Sequence, residues 1–158
     1  MDEELYVKVL NRIQAQCVRR EYCVHDVMEK AMKALDGDVG AAGRMVASLV
    51  EDKFVDDFRY ASAFAREKSS LSGWGTQKIM FMLSRKGIDR GVAERALEEI
   101  DGGAALRKLE SAVAAKYRAL ADDPQCRLKL LRFALGRGYR YDEVNPVVEK
   151  IMRDGLDG

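Results

Sequence analysis

Apolar residues recur along this chain with an internal period of 51 residues, and this repeat constrains the fold more than any other feature. Three sets of equivalent positions illustrate the period: Met28, Ile79 and Leu130; Ala42, Ala93 and Val144; and Ile13, Phe64 and Ala115. Within each copy, the repeated positions are three, four or seven residues apart, which is the spacing of one helix face. Each copy contains three such faces. The period therefore predicts nine helices in three three-helix units.

The predicted fold is all-α, with three tandem three-helix repeats stacked into an elongated array. The repeats are predicted to span residues 3–53, 55–100 and 102–153. No segment alternates apolar and polar residues with β-branched enrichment, so a sheet is not expected. Pro146 leaves two alternatives for the last helix, because the helix either starts at an Asn145 cap or is kinked at the proline.

Composition and charge exclude several classes of protein. The net charge of +1 excludes a strongly basic protein held to nucleic acid by bulk charge, although a local basic face is still allowed. No apolar run reaches the roughly 18–20 residues of a membrane helix, and Met-Asp-Glu-Glu does not resemble a signal peptide. Three cysteines do not make a disulfide framework, so we predict a cytoplasmic protein.

The polar residues give no pattern typical of catalysis, so we predict that the chain is not an enzyme and has no cofactor. Asp56 and Asp57 form an acidic pair at a predicted helix start, where capping explains them better than acid–base chemistry. No phosphate-binding loop is present, and Gly73-Trp74-Gly75 is predicted to be a flexible turn between helices. Cys17, Cys23 and His25 lack a fourth metal ligand, so we favour buried thiols and predict no metal site.

The middle of the chain resembles the RecX family. The residues that carry the resemblance are Asp56-Asp57-Phe58-Arg59-Tyr60-Ala61, Phe64, Arg66, Gly73-Trp74-Gly75, Lys78-Ile79, Leu83 and Lys86-Gly87-Ile88. They match that family's acidic pair at a helix start, its Gly-x-Gly turn and its helix ending in Lys-Gly-Ile. The three-unit period, which covers nearly the whole chain, agrees with the family's three tandem three-helix repeats.

The resemblance implies a monomeric regulator of DNA recombination, DNA repair and the SOS response. Such a protein would bind RecA filaments on DNA and inhibit strand exchange, filament growth, ATPase and coprotease activities. Weak binding to single- or double-stranded DNA is a further expectation. The alternative is a helical repeat adaptor that binds another protein or DNA without any connection to RecA, because the fold alone is equally consistent with it.

We predict a partner-binding surface in the middle repeat. Lys78, Phe81 and Arg85 form a stripe separate from the face expected to be buried, which contains Ile79, Met82 and Leu83. The positions equivalent to Phe81 are Lys30 and Arg132, so Phe81 is expected to point outward, either at an interface or partly covered by an adjacent helix. Trp74 is interpreted either as core or as a contact for a partner or a nucleotide base. The predicted surface also includes Arg59 and Arg66, seven residues apart.

A basic stripe in the third repeat is the predicted nucleic-acid contact. It consists of Arg127, Lys129, Arg132 and Arg137. A run of cations like this one is also typical of a merely solvated helix face. If the stripe contacts phosphate, DNA binding should be weak and should decrease as salt rises.

Overall fold

The chain folds into helices, as the apolar period predicts. The computed structural model describes residues 2–155, and nine α-helices and no strand occur within them. In chain order the helices are α1 (Glu3–Arg19), α2 (Val24–Ala34), α3 (Val39–Glu51), α4 (Asp57–Ser70), α5 (Thr76–Arg85), α6 (Arg90–Leu97), α7 (Gly102–Leu120), α8 (Cys126–Gly136) and α9 (Tyr141–Asp154). The all-α prediction is confirmed.

Aspartate side chains begin five of these helices. Asp2, Asp38, Asp56, Asp89 and Asp101 each accept a hydrogen bond from a backbone N–H two or three residues ahead, at 2.9–3.3 Å. These bonds satisfy donors that a helix N-terminus otherwise leaves unpaired, and the negative charge is favourable at that end of the helix dipole.

The acidic pair of the middle repeat serves two helices. Asp56 caps its own helix through the backbone N–H of Arg59, at 2.9 Å. Asp57 instead accepts a 2.8 Å hydrogen bond from the N–H of Val24, at the start of α2. Cys23, the N-cap residue of α2, supplies no side-chain capping hydrogen bond, so Asp57 provides the cap from elsewhere in the chain.

The chain divides into two compact units, each assembled from separate segments. Unit 1 contains Met1–Ala63 and Leu83–Ala96, and unit 2 contains Phe64–Met82 and Leu97–Gly158. The core of unit 1 packs α1, α2 and α3 together through Ile13, Ala31, Met45 and Leu49. The core of unit 2 packs α7, α8 and α9 together through residues that include Leu109, Val113, Leu130 and Val148. The three repeats as separate domains stay a prediction.

Burial follows the period best in the third helix of each repeat. Ala42, Ala93 and Val144 are all buried, and so are the next equivalent positions, Met45, Ala96 and Val147. The first helices follow it less well, since Val7 is 48% exposed and Ala115 is also exposed. The predicted buried face of α5 is correct for Ile79 and Leu83, while Met82 is only half-buried.

Local hydrogen bonds set the starts of the last two helices. Helix α9 begins at Tyr141 and contains Pro146, so the Asn145-cap alternative is wrong. The carboxylate of Glu143 accepts from the Arg140 N–H at 2.9 Å and fixes the earlier start. Helix α8 begins at Cys126, after a turn in which the Asp123 carboxylate accepts a hydrogen bond from the Gln125 N–H.

Candidate interaction site

Helix α5 carries the predicted stripe, which we call the α5 stripe and define as Lys78, Phe81 and Arg85. Phe81 is 58% exposed, whereas Ile79 and Leu83 on the same helix are fully buried. The prediction that Phe81 points outward is confirmed. An exposed phenylalanine with a cationic residue three positions before it and another four positions after it is a surface suited to a protein partner.

Arg59 and Arg66, predicted to extend this surface, are both bound to carboxylates of their own unit. The Nε of Arg59 donates to Glu21 at 2.7 Å, and its Nη2 donates to the carbonyls of Lys53 and Phe54. The hydrogen bond to Glu21 raises the pKa of Arg59 above its ordinary value. Arg66 donates to Glu99 at 2.6 Å. Arg59 therefore holds the connection between α3 and α4, and its use as a partner contact stays a prediction.

Trp74 lies half-buried in what we call the Trp74 cluster, which comprises Phe64, Lys68, Trp74 and Lys78. The rings of Phe64 and Trp74 pack edge to face, with their centroids 6.1 Å apart and an interplanar angle of 70°. The ammonium groups of Lys68 and Lys78 lie 4.9 Å and 4.4 Å from the Trp74 centroid. Each cation–π contact of this kind contributes about 0.5–1 kcal/mol at an exposed site.

The turn that carries Trp74 is bonded to the turn between α8 and α9. The N–H of Gly75 donates to the Arg137 carbonyl at 2.8 Å, and the N–H of Gln77 donates to the Gly138 carbonyl at 2.9 Å. The Tyr139 hydroxyl donates to the Gly73 carbonyl at 3.0 Å. Two of these carbonyls thus cap the start of α5. The Gly-Trp-Gly turn is a packed junction rather than the flexible connection that the sequence suggested.

Arg137 has a different environment from the rest of the predicted basic stripe. Its guanidinium donates to the Ser72 carbonyl at 2.9 Å and lies 5.5 Å from the ring centroid of Phe133. The ammonium of Lys116 lies 5.4 Å from the same centroid. We call Lys116, Phe133 and Arg137 the Phe133 cluster. Because Arg137 contacts both Phe133 and the backbone beside Trp74, the two clusters are neighbours in unit 2.

The other predicted nucleic-acid contacts lie on α8 and are mostly paired. Arg127 donates to Asn145 at 2.6 Å and lies 3.7 Å from Glu149. Lys129 forms an ion pair with Asp123, and this bond lowers the pKa of that carboxyl group. Arg132 is exposed, and no ion pair of Arg132 occurs within residues 2–155. The structure thus brings Arg137 close to Trp74 and Lys78 and leaves the phosphate-binding assignment of α8 as a prediction.

Four residues of these clusters were not among the predicted site residues: Phe64, Lys68, Lys116 and Phe133. Lys68 is six residues before Trp74, at the end of a helix, where a search for cations near the sole tryptophan would have found it. Phe133 and Lys116 are 59 and 42 residues from Trp74 in the sequence. Only the tertiary contacts of Arg137 connect them to the site.

Neither the cysteine thiols nor the lengths of the helices bear on this interaction site. Burial raises the pKa of the Cys23 thiol to about 12, so the thiol is protonated at neutral pH and is a poor metal ligand. The part of the chain that the structure describes contains no group of three histidine, cysteine or acidic residues able to hold a metal ion. Between residues 2 and 155, no helix has the length and apolar character needed to cross a bilayer.

Similarity to known proteins agrees with this helical architecture. Residues 56–97 match the family model "RecX, second three-helix domain". Regulatory protein RecX of Pectobacterium atrosepticum is 30% identical over 142 residues, which cover 89% of this chain and 85% of that protein. Regulatory protein RecX of Clostridium botulinum is 33% identical over 119 residues, 73% of this chain.

The clostridial relatives are longer, and the chain spans about half of their length: 51% for Clostridium tetani and 55% for Clostridium botulinum. Among solved structures, RecX from Lactobacillus salivarius matches 94% of this chain and 97% of its own with a TM-score of 0.78, at 20% sequence identity. That structure supports the fold, and the Pectobacterium relative supports the family over most of both chains. The chain therefore belongs to the RecX family of regulatory proteins.

Proposed function

We propose that this chain regulates recombination by binding RecA filaments on DNA and inhibiting strand exchange, ATPase and coprotease activities. The observation that carries the proposal is the α5 stripe, in which Phe81 is 58% exposed. The stripe lies inside the segment that matches the second three-helix domain of RecX. Family membership supports a regulatory function, and the stripe supplies a surface through which such a protein can bind its target.

An exposed aromatic residue among cations is suited to an interface. Burying a phenylalanine against a partner removes a large apolar area from water, and the surrounding charged side chains exclude solvent at the rim. The buried face of α5, with Ile79 and Leu83, fixes the helix from behind. Binding through the stripe therefore requires little rearrangement of the protein, which keeps the entropic cost of association low.

The proposal includes no catalytic activity of the chain itself. Asp56 and Asp57 use their carboxylates to cap helices. His25 lies 3.2 Å from Glu29 one turn along α2, as in an ordinary surface pair. These contacts give the acidic and imidazole groups structural explanations, and they favour a regulator that acts by binding.

Co-sedimentation with RecA assembled on single-stranded DNA tests the proposed function. The parent should pellet with the filament and inhibit strand exchange. Phe81→Ala should weaken binding by more than about tenfold, since an interface anchor can contribute more than about 2 kcal/mol. Lys78→Glu/Arg85→Glu should also abolish inhibition, while its free energy of unfolding falls by no more than about 1 kcal/mol, because the change removes the contact of Lys78 with Trp74.

Two comparison variants make this test specific. Lys8→Glu/Arg12→Glu makes the same charge change at exposed positions of α1 and should inhibit like the parent. Leu83→Ala, on the buried face, should instead destabilise the fold by about 2–5 kcal/mol. A parent protein that stays in the supernatant would contradict the RecA proposal and favour an adaptor for another partner. Full inhibition by both α5 stripe variants would place the interface elsewhere.

A further inference from the structure

Four cations lie beside the rings of Trp74 and Phe133, the central aromatic residues of the Trp74 and Phe133 clusters. Lys68 and Lys78 lie beside Trp74, and Lys116 and Arg137 lie beside Phe133. Among residues 2–155, none of the four forms an ion pair with a carboxylate, whereas five other cations of unit 2 do: Arg66, Arg127, Lys129, Arg140 and Arg153. This part of unit 2 therefore carries positive charge that the described protein does not neutralise.

The position of the rings is fixed by the junction between the two turns. The Trp74 N–H donates to the Lys68 carbonyl at 2.9 Å, and the flanking Gly75 is bonded to the Arg137 carbonyl. Arg137 is held by the Ser72 carbonyl. Trp74 is therefore presented from a fixed backbone, whereas the lysine side chains beside it are long and flexible. A rigid ring with mobile cations around it is an arrangement suited to a ligand that has both a flat face and negative charge.

We propose that the Trp74 and Phe133 clusters form a binding site for unpaired nucleotides of single-stranded nucleic acid. A base stacks on Trp74, and a nearby base contacts Phe133. The ammonium groups of Lys68, Lys78 and Lys116 move from the rings to the phosphates, where each forms a charge-assisted contact. Arg137 keeps its bond to the Ser72 carbonyl and provides a fixed positive charge between the two rings.

The aromatic component distinguishes this ligand from other anions. In a duplex, neighbouring base pairs cover the faces of each base, so a protein ring can stack only on a base that is unpaired. An acidic protein surface offers carboxylates to the cations but no flat face to Trp74. The site shares Lys78 with the α5 stripe but includes neither Phe81 nor Arg85. Binding of single strands does not require RecA, so it can be tested separately from the proposed regulatory function.

The test uses the fluorescence of Trp74, the only tryptophan of the chain. Titration of the full chain with an oligothymidylate at low salt should quench this fluorescence. Trp74→Ala, followed by anisotropy of a labelled oligonucleotide, should weaken binding by about fivefold to a hundredfold, and Trp74→Phe, which keeps a ring, should lose less. Lys68→Glu/Lys116→Glu should weaken binding about tenfold or more, and Lys8→Glu/Arg12→Glu by less than about twofold.

Competing ligands distinguish stacking on an unpaired base from simple attraction between charges. Co-sedimentation with the filament separates this inference from the proposed function. An abasic oligonucleotide, a duplex and polyglutamate should each bind at least about fivefold more weakly than the oligothymidylate, because none offers an unpaired base. Equal binding of any one of them, or an unchanged affinity of Trp74→Ala, would overturn the stacking site. If oligothymidylate does not bind while the parent still co-sediments with RecA filaments, only this inference fails. If oligothymidylate binds and co-sedimentation fails, only the proposed regulatory function fails.

Discussion

At the scale of single residues, close backbone approach explains two glycines of unit 2. A Cβ atom on Gly75 would lie 2.4 Å from the Gly138 carbonyl and from the Tyr139 nitrogen. A Cβ on Gly138 would lie 2.3 Å from the Lys78 Cβ, and Gly138 also has a positive φ of 98°. No real Cβ tolerates such distances, so the two turns can only meet where both residues lack side chains.

Gly75→Ala tests this packing without a change in backbone preference, since Gly75 does not have a positive φ. We expect the free energy of unfolding to fall by about 1–3 kcal/mol, because the extra methyl pushes apart the backbones that exchange hydrogen bonds. Urea denaturation measures the loss. The matched control is Gly43→Ala, in open space within α3, which should raise stability by about 0.5–1 kcal/mol. If Gly75→Ala and Gly43→Ala changed the free energy of unfolding equally, the two turns would not be in the close contact inferred here.

At the scale of helices, an ion pair joins α2 to the turn that follows α5 in unit 1. The Lys86 Nζ donates to the Asp26 carboxylate at 2.6 Å, and the Asp26 side chain is only 15% exposed. Burial alone would raise the pKa of Asp26, but hydrogen bonds from Lys86 and Cys23 outweigh burial and lower that pKa. The same bond raises the pKa of Lys86. This ion pair therefore holds the two segments together, and the protein shields the Asp26 carboxylate from solvent more than it shields the Lys86 side chain.

Asp26→Asn should lower the free energy of unfolding by about 1–3 kcal/mol at pH 7, because it removes a hydrogen bond between charged groups. A lowered folded pKa means that the pair stabilises the protein above the ordinary aspartate pKa of about 3.9, and that this stabilisation disappears as pH falls through the lowered value. The gap between variant and parent should therefore shrink in denaturation series below about pH 4. Glu94→Gln, in an exposed pair with Arg90, should change stability by less than about 0.5 kcal/mol. If the difference in free energy of unfolding between Asp26→Asn and the parent did not change with pH, the ionisation of Asp26 would not be the source of this stabilisation.

At the scale of the whole molecule, the compact units do not follow the sequence repeats. Each unit combines a continuous stretch with a second segment, and α4 and α5 each contribute residues to both units. The repeat of the sequence is a repeat of helix faces, whereas compactness depends on which faces bury one another. Tandem repeats share their cores with neighbours, so the two divisions need not coincide.

The whole chain should not hydrolyse ATP, yet it should lower the ATPase of RecA filaments as its concentration rises. The reason is the proposed mode of action, in which the chain binds the filament and the recombinase supplies the nucleotide chemistry. A coupled ATPase assay with and without RecA and single-stranded DNA measures both quantities. ATP hydrolysis that co-purifies with the chain through further chromatography would contradict the expectation that the chain has no ATPase activity. An unchanged ATPase of the RecA filament would contradict the expected inhibition.

The sequence by itself determined the helices and much of their buried faces. The 51-residue period predicted nine helices, and Asp56 predicted where one of them begins, because periodicity and capping depend on residues close together in the chain. The prediction that Phe81 points outward was also correct, and it came from the charged residues at the equivalent positions, Lys30 and Arg132.

Only the tertiary structure decided which polar groups bind one another. Arg137 was predicted from a local run of cations, but its guanidinium donates to the Ser72 carbonyl, 65 residues away. Asp57 was expected to serve its own helix, and it caps α2, 33 residues earlier. Hydrogen bonds and ion pairs join groups that are adjacent in space after the helices have packed, and a linear pattern carries no record of those distances. For this reason the sequence identified Trp74 and Arg137 but not Phe133 and Lys116 beside them.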